Sequence, residues 1–552
     1  MRHIKSYIFA GMTALMATSC SDFLNTTPKD ALTPETAWQT KSDADKFLTG
    51  CYDGWQDSYY QGGDSYLFYW DGISDFGYAN FTWEGYTGIG NGTVAEGNEG
   101  KTLYDFTTIR RCNEFLNNVD KCDIDEAVKK DMKAQARWLR AYRYFLMNWN
   151  YGGVPIIENY QTGAEAQVPR NSAEEVKKFV EDELDALAAD INDAPSERGR
   201  IAKGAAYALR MREALYNEEW AVAKDRAQKI IDLHQYELDP SYSNIFTIAG
   251  QSSKEIILAV QFLENQKGCT TVGTMYNNAD GGWSSMVPTY ALVDAYEMAN
   301  GLTKDEAGSG YDATHPFNNR DPRMGMTIYY PGCDYVNKKG EAKIFNTLDK
   351  NVDGAANANY MTAADNSSKT GLSWAKYFAP ITQYGNINNT SCCPIVFRYA
   401  EVLLTWCEAE NELNGPSAQI YSYLNAIRNR VGMPDVDQDK YGSQEKLREL
   451  IRRERSVELA GESLRRDDIL RWKDGNGKRL AETVLNCTLE RRCGTVSSDA
   501  SVAPGMRATI NLNAGADEKK IEDRKFRDAN RYLPIPLDAR NANPQLTQND
   551  GY

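Results

Sequence analysis

The stretch GAAYALRMREALYNEEWAVAKDRAQKIIDL, residues 204–233, decides the fold. Leu209, Leu215, Trp220, Ile230 and Ile231 recur at helical spacing, with Ala205, Ala206, Ala208 and Ala214 set among them. Small residues let two backbones approach closely. Gly204–Tyr216 and Glu219–Leu233 are therefore predicted as two helices packed antiparallel across a short turn.

The same pattern continues on both sides. Upstream, 127–151 places Ala134, Trp138, Ala141, Tyr142 and Phe145 on one face and stops at Gly152-Gly153-Val154-Pro155. Ser172 followed by Glu175 marks a capping box that opens a helix through Leu187. Downstream, Phe397–Leu413 ends at Asn414-Gly415-Pro416, and Ser417–Val431, Gln444–Ala460 and Leu464–Trp472 follow. Paired helices of this kind resemble tetratricopeptide repeat units. The predicted fold class is mainly α: a tetratricopeptide-like helical-repeat scaffold with long irregular loops and few short strands. The helical blocks cover about 105–250 and 396–485. A loop-rich region covers about 251–395, a second one about 57–104, and loops of such length inside a domain are usually functional. Pro534 and Pro536 exclude helix and central strand, so the C-terminal tail 525–552 is expected to run extended and pack back on the helices.

The N-terminus sets the compartment. Arg2, His3 and Lys5 precede an apolar stretch from Tyr7 to Met16 and the small-residue exit Ala17-Thr18-Ser19, the pattern of a secretory signal peptide over 1–19. Cys20 follows the cut. An ordinary signal-peptidase site and a bacterial lipobox share this bond, and the lipobox is the preferred reading, with Cys20 as the lipidation site. Each buried CH₂ contributes about 0.8 kcal/mol, so several acyl chains anchor a protein firmly. Residues 20–40 then form a tether and 41–552 a single domain. Removing 1–19 takes away Arg2 and Lys5 and moves the net charge from −15 to −17. That acidity excludes nucleic acid as a partner, because phosphate binding requires a basic footprint.

Three His and the absence of any CxxC leave no metal-ligand spacing, and no catalytic triad or phosphate loop is present; no metal, cofactor or catalytic residue is assigned. Cys112/Cys122 and Cys487/Cys493 are close enough in sequence to pair, and Cys392-Cys393 is a vicinal pair. Glu401, Glu408, Glu410 and Glu412 raise the possibility of a glycosidase, which needs two carboxylates across a scissile bond, but Glu401, Glu408 and Glu412 fall near one helical stripe beside core residues. The Arg-rich segment 448–466 reads as one salt-bridged helix, with Glu449 meeting Arg453, Glu462 meeting Arg466 and Arg455 meeting Glu458.

A set of motifs in fixed order now carries a family resemblance. They are Cys20-Ser21-Asp22-Phe23-Leu24; Arg137-Trp138-Leu139-Arg140-Ala141 through Pro155; Asp321-Pro322-Arg323; Arg398-Tyr399-Ala400-Glu401; Arg453-Glu454-Arg455 with Glu458-Leu459; and the tail Tyr532-Leu533-Pro534-Ile535-Pro536 to Asn543-Pro544-Gln545-Leu546-Thr547-Gln548. Over essentially its whole length the chain resembles the SusD/RagB outer-membrane lipoproteins of Bacteroidetes. The resemblance implies a non-catalytic, surface-exposed glycan-binding lipoprotein that pairs with a TonB-dependent (SusC-like) transporter. Oligosaccharide, the transporter and, through the lipid, the outer membrane are the partners it implies.

The aromatic loops indicate where a glycan would bind. A sugar ring offers an apolar C–H face to an aromatic plane and hydroxyls to Asn, Asp or Gln. Residues 66–86 interleave Tyr78, Phe81, Trp83 and Tyr86 with Asn80 and Glu84; a second set holds Tyr276, Asn277, Asn278 and Trp283; a third holds Trp374, Tyr377 and Tyr384. Trp83 and Trp283 are the expected exposed platforms, with Tyr78, Asn80, Tyr86, Tyr276 and Asn278 as further glycan contacts. A peptide cargo on the same fold and a secreted hydrolase are the two alternatives.

Overall fold

The computed structural model describes residues 37–53, 66–159 and 162–552. The expected signal peptide, Cys20 and most of the expected tether lie outside them. Packing begins before residue 41: Trp38 is buried and stacks on Phe47 with ring centroids 3.9 Å apart.

Ten helices form the frame: α1 (Lys41–Asp53), α2 (Thr107–Asn118), α3 (Glu126–Tyr151), α4 (Ala173–Leu187), α5 (Lys203–Tyr216), α6 (Trp220–Asp232), α7 (Tyr399–Asn414), α8 (Ala418–Asn429), α9 (Gln444–Glu458) and α10 (Arg465–Arg471). Local chemistry sets their ends. Asp125 accepts from Ala127 N and Val128 N to open α3, and Gly152, at φ +68°, closes it. The capping box of α4 is present, with Ser172 N donating to Glu175 Oε2 at 2.7 Å and Glu175 N donating to Ser172 Oγ at 3.2 Å. Consecutive helices pack in pairs from α1 to α6, and α7 then packs on α6, α8 and α9, joining the two blocks. At the first crossing Trp138, fully buried, donates its indole N–H to Ala205 O at 3.0 Å. At the junction, Trp406 donates to Gln228 Oε1 at 3.0 Å.

Two predicted helices are shorter than their hydrophobic pattern. Phe397 and Arg398 belong to strand β4 (Ile395–Arg398), which pairs antiparallel with β2 (Ile256–Ala259). Gln444–Ala460 and Leu464–Trp472 are present as the separate helices α9 and α10, so the Arg-rich segment 448–466 spans a break at Leu459–Leu464 and is not a single helix. Its ion pairs are also long-range rather than within the helix. Arg453 reaches Glu297, Arg455 reaches Asp468, Glu462 reaches Lys376 and Arg398, and Arg466 donates to Ile73 O and Asn530 O. Glu458 sits at the centre of a buried network, 3.0 Å from Arg323, 2.8 Å from Arg398 and in contact with Arg430. Arg323, Arg398 and Glu458 are each at most 1% exposed. The family motif residues Arg323, Arg398, Glu454 and Glu458 are thus parts of the core.

All ten cysteines among the described residues are free, so neither Cys112/Cys122 nor Cys487/Cys493 is a disulfide here. Strands form only two-stranded ladders among the described residues. Two of these matter below: β1 (Gly77–Ala79) with β3 (Met286–Pro288), and β5 (Cys487–Glu490) with β6 (Lys520–Arg524).

The tail packs back as expected, although Leu537–Ala542 forms a short helix after Pro536. Leu533 N donates to Asn150 O at 2.7 Å, and Asn549 Nδ2 donates to Tyr151 O at 3.0 Å and Leu533 O at 2.7 Å. Gln548 bonds both backbone groups of Ile535, at 2.7 and 3.0 Å, in the manner of a paired strand. Leu546 is buried. Deleting 544–552 removes the four bonds of Gln548 and Asn549, at about 1 kcal/mol each, and a Leu side chain worth about 2–5 kcal/mol. The truncated chain is expected to lose roughly 6–9 kcal/mol of stability, measured by denaturant unfolding. An unchanged midpoint would show the tail to be dispensable.

Candidate functional site

The β1–β3 ladder carries the site. Gly77 pairs with Pro288, Tyr78 with Val287 and Ala79 with Met286, and Asn80 N donates to Ser285 O at 2.7 Å just beyond its end. There the two chains diverge. One turns through Thr82–Glu84 and reverses at Gly85, φ +85°. The other turns through Asn278–Asp280 and Gly281, φ +86°. Gly282 lies so close to Tyr276 that a Cβ there would sit 2.2 Å from its carbonyl oxygen, so only glycine fits.

These turns bring together two tryptophans that are 200 positions apart in the chain. The rings of Trp83 and Trp283 lie 6.4 Å apart at 59°. Phe81 extends the group, 5.4 Å from Trp83 at 34°. Trp83 is 55% exposed, the largest fraction of any aromatic side chain among the described residues, and Trp283 and Phe81 are half-buried. Trp83 and Trp283, read from the sequence as separate platforms, form one aromatic surface.

Other predicted contacts have different positions. Asn80 Nδ2 donates to Asp365 O at 2.8 Å and Asn278 Nδ2 to Ala358 O at 2.7 Å. Both amides hold the 357–369 loop beside the tryptophans, and Asn359 adds a bond from Ala279 N at 2.8 Å. Tyr78 is half-buried on β1, and burial raises its phenol to about 12. Tyr86 and Tyr276 are fully buried, which removes them from the contact surface. Tyr86 stacks on Tyr69 at 4.9 Å, and Tyr276 packs edge-on to Tyr329. The third aromatic set, Trp374, Tyr377 and Tyr384, is also core, with Trp374 Nε1 against Met286 Sδ of β3 at 3.0 Å. Polar neighbours in the sequence did not reveal that these rings turn inward. The 357–369 loop was missed because no local pattern links it to Trp83.

Beneath Trp83, Glu84 is 3% exposed, and burial raises its carboxyl to about 7. Tyr69 OH donates to Oε1 at 3.4 Å, while Oε2 has no hydrogen-bond partner. A carboxyl whose pKa is raised on folding favours the folded state below its unfolded value, near 4.5, and loses that advantage as pH rises through about 7. Glu84→Gln is therefore expected to match wild type near pH 4 and to be more stable at pH 8 by up to about 3 kcal/mol. Thermal melts of both proteins across pH check this, and equal melting temperatures at pH 8 would contradict it.

The acidic stripe of α7 is occupied by ion pairs. Glu401 pairs with Arg212 at 2.6 Å, Glu408 with Arg471 at 2.6 Å, and Glu412 with Arg448 at 2.5 Å. Burial alone would raise Glu408, but Arg471 outweighs it and holds the carboxyl at about 2. A raised pKa is what a general acid requires, so Glu408 is unsuited to that role. A further carboxylate trio, Glu181, Glu213 and Glu219, is bridged by Lys177 and Arg210.

Comparison with known proteins identifies the fold and its family. The SusD family model matches residues 254–552, and a model described as starch-binding associating with outer membrane matches 22–215. The chain belongs to the SusD family. It is 26% identical over 478 residues to SusD-like protein P25 of Formosa agariphila, covering 82% of this chain and 87% of that one. A crystal structure of a SusD-like carbohydrate binding protein from Bacteroides fragilis superposes with a TM-score of 0.78 at 28% identity, over 93% of this chain and 100% of that one. A laminarin binding SusD-like protein shares the fold at TM-score 0.64 and 21% identity, over 93% of this chain and 100% of that one. No helix among the described residues is long and apolar enough to cross a membrane.

Proposed function

We propose that this chain is a non-catalytic glycan-binding lipoprotein of the outer-membrane surface that captures oligosaccharide and delivers it to a TonB-dependent transporter. The Trp83–Trp283 pair carries the reading: two rings 6.4 Å apart, one of them more than half exposed, offer adjacent faces to successive sugar rings. The SusD-like carbohydrate binding protein of Bacteroides fragilis supports the ligand class, and the outer-membrane family model supports the location. The lipobox ending at Cys20 supports the anchor, and the family resemblance supports the transporter. The pairing of the α7 carboxylates supports binding without hydrolysis.

Isothermal titration of the mature chain against a polysaccharide panel, with products assayed in parallel, tests this. Heat with at least one glycan and no product is the expected result. Heat only with peptides, or sustained release of product, would overturn it.

A further inference from the structure

Two cations on segments tied to the β1–β3 ladder have no ion pair among the described residues. Most buried arginines here are paired with carboxylates, as in the Glu458 network. Lys369 and Arg491 are different. Both are half-buried, and neither forms an ion pair with a described residue. Lys369 Nζ reaches only Ala364 O, at 2.8 Å. Arg491 Nη2 reaches Lys520 O at 3.2 Å, while Nε and Nη1 are buried without a hydrogen-bond partner. The two cations also act on each other: after burial and the opposing effect of Asp365, the charge of Arg491 contributes to lowering the Lys369 ammonium.

Their place in the fold connects them to the site. Lys369 ends the loop that Asn80 holds through Asp365 O, and Arg491 follows β5, whose partner β6 is tied to β1 by Arg524 Nη2 donating to Gly77 O at 3.0 Å. Tyr78 and Asn80 point to one side of their strand, and Trp83 lies five residues from Tyr78, at most roughly 17 Å along the chain. Among the carboxylates nearby, Glu522 is engaged by Arg524 at 2.7 Å, Glu490 faces Lys519 at 3.7 Å, and Asp365 is exposed. Like charges that burial strips of part of their water cost stability unless an anion joins them.

We propose that the glycan site selects an anionic oligosaccharide, its sugar rings on Trp83 and Trp283 and its carboxylate or sulfate ester between Lys369 and Arg491. This rests on the glycan-binding reading above. A hydrogen bond to a charged group contributes more than a neutral one, which sets the expected selectivity at about tenfold or more.

The test titrates the mature chain with neutral, uronate-bearing and sulfated oligosaccharides of similar length. Charged ligands are expected to bind at least about tenfold more tightly than neutral ones, and the arm that does so identifies the group. Raising salt from about 50 mM to about 500 mM should weaken them and leave neutral ligands unaffected. Arg491→Ala and Lys369→Ala should each remove most of the preference, while Arg491→Lys retains part of it; a thermal melt confirms that each variant is folded. Equal affinity for neutral and charged ligands, with no effect of either alanine variant, overturns the inference and leaves the glycan-binding reading in place. No heat from any glycan overturns both.

Discussion

Replacing Glu458 by Gln is expected to cost at least about 3–5 kcal/mol, the range for leaving a buried charge without its partner. Its carboxylate serves Arg323, Arg398 and Arg430 at once, and Glu255 and Glu454 cannot replace it without giving up their own contacts with the same arginines. Burial by itself raises the Glu458 carboxyl, yet Arg430, Arg398 and Arg323 outweigh that and hold it far below the ordinary value. The network's stabilisation is therefore complete above about pH 4.5 and lost only as the pH falls toward the much lower folded value. A typical domain is stable by only about 5–15 kcal/mol, so the variant should unfold at much lower denaturant, or accumulate poorly. Glu449→Gln, which removes an exposed partner of Lys446, should change stability by about 0.5 kcal/mol or less. If both variants unfolded at the wild-type midpoint, the network would have no structural role.

The second large effect is on binding. Trp83→Ala removes a mostly exposed ring and should leave the fold intact while weakening glycan binding about tenfold, the sum of lost apolar contact and about 0.5–1.5 kcal/mol of aromatic stacking. Trp283→Ala should do the same with some loss of stability, because its ring is half-buried. With each ring worth about tenfold, about 1.4 kcal/mol, the double variant should bind about a hundredfold more weakly. Full retention of binding in both single variants would remove the tryptophans from the site.

Legibility in the sequence followed the range of the interactions. Helix ends were readable because Ser172 and Glu175, or Gly152, act within a few residues of themselves. The exposed character of Trp83 was readable from its polar and Gly-rich neighbours. Its contact with Trp283 was not, because that depends on a ladder joining residues 77–79 to 286–288. Tyr86 and Tyr276 have equally polar neighbours and still turn inward, since a tight turn exposes one side chain and buries the next. Arg453, Arg455 and Glu462 showed that ion pairs exist but not with which partner, because packing brought opposite charges from other segments closer than those one turn away.

The tryptophans are positioned by a three-residue main-chain ladder and the Asn80 N to Ser285 O bond, with two side-chain amides gripping carbonyls of the 357–369 loop. Main-chain groups are the same whatever side chain they carry. Apart from Gly282, Asn80 and Asn278, positions in the turns bearing Trp83 and Trp283 can therefore change without disturbing the register beneath. A scaffold built this way separates inheritance of shape from inheritance of taste: descendants can acquire a new diet by altering a few turn positions while the helical frame drifts independently.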